Sequence, residues 1–162
     1  MGVNTWSAGV LTGIKDELSD NLATALLAIQ TAGGDEVTAP AEFAVQDDLE
    51  TVSALPFVAV KTAGDTEAEP LLPNSFRLSI PLEVWAIMTP EPGPLDVDNA
   101  ARTYVRGIIN VLCSADTLAN VASLFWVTFG GSRIERVEGA GGHRWRRAAI
   151  VSATLHVATS RE

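Results

Sequence analysis

Residues 76–88 read FRLSIPLEVWAIM, and their alternation decides the fold. Phe76, Leu78, Ile80, Leu82, Val84, Ala86 and Met88 fall on one side, and Arg77, Ser79, Glu83 and Trp85 on the other. A period of two marks a strand with one face in a core. Pro81 sits in the middle of the run and has no N–H to give to a ladder. The sequence therefore places this segment at a sheet edge or at a bulge. A sheet edge suits a neighbouring subunit, which makes Pro81 and Trp85 candidate subunit-edge residues.

Upstream, Trp6, Val10, Ile14, Leu18, Leu22 and Leu26 recur every four residues, and Leu11, Ala25 and Ile29 widen the stripe. This spacing predicts a long amphipathic helix. Asn4 or Ser7 is suited to cap it, and Gly33-Gly34 to stop it. Residues 33–55 read as an acidic loop with room for one short element. PFVAVK, residues 56–61, is a β-branched run that predicts a strand. TAGDTEAEPLLPNS, residues 62–75, is an acidic connection that is long for a hairpin loop.

Downstream, TPEPGP (residues 89–94) stops the strand. A second helix is expected from Asp96 or Asp98, burying Val97, Ala101, Tyr104, Val105, Ile108 and Leu112. Glu91, Asp96 and Asp98 cluster at its start, where capping and the helix dipole account for them. Residues 114–121 have room for a further helical turn. SLFWVTF (residues 123–129) predicts a strand ended by Gly130-Gly131, and residues 133–137 predict another. A Gly-rich turn at 138–142 leads into a final strand over 143–159, with Ala149, Val151, Ala153, Leu155 and Val157 facing inward. Together these elements predict one α+β domain over residues 1–162. It is expected to have a mostly antiparallel sheet of about five strands, with two main helices packed on one face.

Apolar residues make up 47% of the chain and charged residues 19%, enough apolar material for a core and against general disorder. No apolar run reaches the roughly 20 residues that cross a bilayer, and the start lacks the basic and apolar regions of a secretory signal. Cys113 is the only cysteine, so no internal disulfide is possible; within INVLCS it is expected to be a small buried side chain. His143 and His156 are the only histidines, without HxxxH or CxxC spacing, so no metal site is expected. Gly139 to Gly142 lead into a strand rather than a helix and lack the Lys-Ser/Thr of a phosphate loop. No GxSxG nucleophile turn occurs. The expectation is a protein that binds or assembles, with no catalytic residues and no cofactor.

The net charge of −9 opposes wrapping by nucleic acid or an anionic membrane. It is unevenly distributed: residues 1–100 carry 16 acids and 3 bases, residues 101–162 carry 4 acids and 8 bases. A chain divided in this way can stack on copies of itself, acid to base. Arg133, Arg136, Arg144, Arg146 and Arg147 are five of the nine arginines and surround one Gly-rich hairpin with His143 and Trp145. This cluster is a candidate contact for an acidic protein surface or for DNA. The competing reading is a solvated hairpin with charge pairs to Glu135 and Glu138.

The order of elements has a familiar outline. An N-terminal amphipathic helix is followed by a strand after Leu55-Pro56, the strand SFRLSIPLEVWAIM, the helix DNAARTYVRGIINVLC and a closing hairpin with RRAAIVSATLHVAT. Across nearly the whole chain this resembles the tail terminator, or tail completion, proteins at the neck of tailed bacteriophages. The likeness lies in element order, length and texture, without a short signature motif.

The resemblance implies a structural virion protein, made in the host cytoplasm and built into the tail. Its subunits would form a homo-oligomer, a hexameric ring that caps the head-proximal end of the tail tube and stops tube growth. Its partners would be the tail tube protein and the head–tail connector, with DNA passing through the lumen and no membrane involved. Arg133, Arg136, His143, Arg144, Arg146 and Arg147 are then the candidate partner or lumen contacts. The sequence leaves open another connector, neck or tube subunit, and a small cellular binding domain.

Overall fold

The computed structural model describes residues 3–34, 36–45, 54–88, 94–138 and 145–160. Among them the chain is an α+β protein of three helices and six strands. The helices are α1 (Val3–Thr31), α2 (Pro94–Leu112) and α3 (Ala115–Asn120). The strands are β1 (Glu42–Val45), β2 (Phe57–Thr62), β3 (Glu67–Leu72), β4 (Ser75–Ile87), β5 (Leu124–Glu138) and β6 (Trp145–Ser160). No helix among the described residues is long and apolar enough to cross a membrane.

The four-residue spacing at the N-terminus does produce α1. Val10, Ile14, Leu18, Leu22 and Leu26 are all buried along it. It ends where the glycines stand. Gly33 has φ +97°, and the amides of Gly33 and Gly34 donate to the carbonyls of Gln30 and Ile29. That pair of bonds closes the last turn on a left-handed residue, a conformation glycine adopts without a side-chain clash. The second helix starts earlier than Asp96 or Asp98: Pro94 opens α2, where a missing N–H costs no helical bond. Its buried stripe contains Ala101, Tyr104, Ile108 and Leu112 as read from the sequence, with Val105 partly buried. The side chains of Trp6, Asp96 and Val97 lie outside the described part.

The sheet runs β1-β2-β4-β6-β5, with β3 paired to β4 beyond the end of β2. Only β1 and β2 are parallel; the other pairs are antiparallel. The strand read from Phe76 to Met88 is therefore internal. Along its whole length β4 pairs with β6, and on its other side first with β3 and then with β2. This corrects the edge placement of Pro81. The Pro81 carbonyl accepts from the Ala63 amide at 3.0 Å. In an antiparallel strand the N–H and C=O of one residue point the same way. The absent N–H thus faces Ala63, just past the end of β2 at Thr62, so the proline gives up only the reciprocal bond at the end of that ladder. Trp85 is no edge residue either: it stands between Ala59 of β2 and Ile150 of β6.

Two further expectations change. The acidic connection 62–75 holds β3, which forms a tight hairpin with β4 through Asn74 and Pro73. Its three acids and two prolines mask the alternation. Within 33–55, β1 is the short element, while residues 46–53 lie outside the described set. The segments SLFWVTF and 133–137 are one strand, not two. Gly130-Gly131 bends β5 without ending it: the register shifts between Phe129 and Gly131, and Gly131 has φ +118°. An extra residue in a strand is taken up in this way as a bulge.

Side chains of α1 and α2 share one core with Val58, Val60, Leu78, Ile80, Leu82, Val84, Val151 and Leu155. The alternate residues of the same strands, Phe57, Ala59, Ile87, Ala148 and Ile150, form a smaller buried cluster with Leu55 and Trp85 against it. The sheet thus has two faces of different character. One is joined to the helices, and the buried apolar residues of the other lie at the end near Leu55.

Candidate functional site

The arginine cluster does not form a single surface. Arg133 lies on β5 opposite Ile150, on the face away from the helices. Its guanidinium is 2.7 Å from Glu83 and 2.7 Å from Glu135, and 5.8 Å from the Trp85 ring. Hydrogen bonds to Glu135 and then Glu83 push its pKa further above the usual arginine range. Lys61 covers the same indole at 4.6 Å. Arg147 faces the other way, with its Nε 3.4 Å from Asp98 of α2. Arg136 is exposed and pairs across the ladder with Arg147. Of the remaining cluster, His143 and Arg144 lie outside the described residues. Arg146 is within β6, but its side chain is not described. Two of the arginines thus hold carboxylates of their own chain. Because the Arg133 pairs are largely solvent-facing, Arg133→Ala is expected to lower stability by less than about 1 kcal/mol, measured by urea unfolding.

His156 joins three strands on the same outer face. Its ring nitrogens lie 3.4 Å from Ser79 Oγ and 3.1 Å from Thr128 Oγ1, and Phe125 tilts against it at 6.2 Å. No acidic group completes this arrangement. Among the described residues no three His, Cys, Asp or Glu side chains stand close enough to hold a metal ion.

The feature that sequence reasoning passed over is on β5. Among the described residues this strand pairs with β6 alone, so its other side is a sheet edge. Phe125, Trp126 and Phe129 are exposed there, Trp126 by 57%. Trp126, Val127 and Phe129 line an open groove of 250 Å³ with Leu112, Cys113 and Leu118 at the α2–α3 junction. Cys113 is exposed in this groove, which corrects the buried reading: it follows the last residue of α2, on the turn into α3. That turn is held by Ser114, whose Oγ accepts from the Thr117 amide, and by the buried Thr117, whose Oγ1 donates to the Val111 carbonyl at 2.7 Å. A signal was present in the sequence. Leu124, Phe125, Trp126 and Val127 are four successive apolar residues, so a strand must place apolar groups on both faces. The neighbouring β6 offers Thr154 and His156 on the outer one.

The helix α1 packs on α2, β1 and β2, whereas α2 packs on β6 and β5. Gly107 of α2 faces Leu22 and Leu26 of α1. Helical spacing then turns Arg102, Arg106 and Ile109 away from Leu22 and Leu26 of α1. Both arginines are exposed. At the opposite end, Glu36, Asp65 and Glu67 are exposed, and Glu69 is paired with Arg77. The acidic and basic halves of the sequence also meet in space, where Arg133 holds Glu83 and Arg147 holds Asp98. No protein-family model and no curated protein matches this chain.

Proposed function

We propose that this protein is a structural subunit of a tailed-phage virion, a tail terminator that closes into a ring on the tail tube, ends tube growth and meets the head connector. What supports the reading is the likeness in element order together with one observation: the β5 edge exposes Phe125, Trp126 and Phe129, whereas the β1 and β3 side exposes Glu36, Asp65 and Glu67. Such a subunit has different surfaces at its two ends. Contacts of that kind are head-to-tail, and they close into a ring when the rotation between copies permits. A groove of modest volume with no converging ionisable groups suits association better than turnover. Within the ring, DNA would be a passenger through the lumen, and the tube and connector proteins would be the partners.

Light scattering over a range of concentrations, with electron microscopy of the protein alone and mixed with tail tubes, tests this. A species near six copies of the 17.1 kDa chain, about 100 kDa, that caps tube ends is the expected result. Long filaments of the protein alone would assign it to the tube instead. A monomer at every concentration that leaves tube ends bare would overturn the reading.

A further inference from the structure

We draw no further inference here: the strongest candidate, the apolar groove between β5 and the α2–α3 turn, lies beside a strand edge whose register shifts between Leu124 and Trp126 and again between Phe129 and Gly131, and nothing in the structure shows what covers it.

Discussion

Leu22→Ala is expected to lower the free energy of unfolding by about 3 kcal/mol, and Gly107→Ala to recover part of that loss only when Leu22 has already been shortened. Leu22 is fully buried on α1 against α2. The absence of a side chain at Gly107 is what allows the two helices to approach there. A Cβ at that position would lie 3.1 Å from Leu22 Cδ1 and 2.9 Å from Leu26 Cδ2. In the wild-type background the added methyl crowds both leucines, against a helix-propensity gain of about 1 kcal/mol, so the net change should be small. With Leu22 truncated, Leu26 can shift into the vacated space to admit the methyl, which then keeps more of the propensity gain. Urea unfolding of the two single variants and the double variant measures the coupling. A favourable term of about 1 kcal/mol is expected, and strict additivity would show that the helices do not meet at this point.

The second large effect concerns Tyr104, the only tyrosine in the chain. Its side chain is fully buried, and its hydroxyl donates to the Thr38 carbonyl, tying the segment that follows α1 to α2. Burial pushes the phenol well above its ordinary range. The folded protein therefore holds this proton more tightly than the unfolded chain, whose phenol titrates near pH ~10. The resulting stabilisation is complete below that pH and is lost as pH rises toward the folded value. The loss should reach about 1.4 kcal/mol per pH unit above ~10. Tyr104→Phe should remove this dependence, at a cost of about 1 kcal/mol at neutral pH because the Thr38 carbonyl loses its donor. In the unaltered protein, tyrosinate absorbance should appear only together with unfolding. Ionisation near pH ~10 in a protein that is still folded would contradict the burial.

Several elements could be read directly because their periodicity reports a neighbourhood of constant character. The helix α1 buries one stripe along its whole length, and β4 and β6 bury alternate residues against the same helices, so spacing alone identified them. Reading failed where local chemistry had two explanations. At Pro81 a missing donor implied an edge, but it falls at the end of the β2 ladder. Gly130-Gly131 implied the end of a strand, but the pair forms a bulge within β5. The acids of β3 implied an open connection, but Glu69 is held by Arg77 across the hairpin. Arg133 and Arg147 are 14 positions apart in the sequence and form one basic cluster there. The ladder places them on opposite faces, and each is already engaged.

The sequence by itself determined the α+β class, the inward faces of the long helix and the two long strands, and the uneven charge of the two halves. These follow from residue type and period, which need no knowledge of what lies opposite. Only the tertiary structure decided which strand is internal, which strand is the aromatic edge, and that Cys113 lies open in a groove. Those are properties of pairing between segments far apart in the chain. Pairing depends on which backbone donors and acceptors meet, and no local pattern records that.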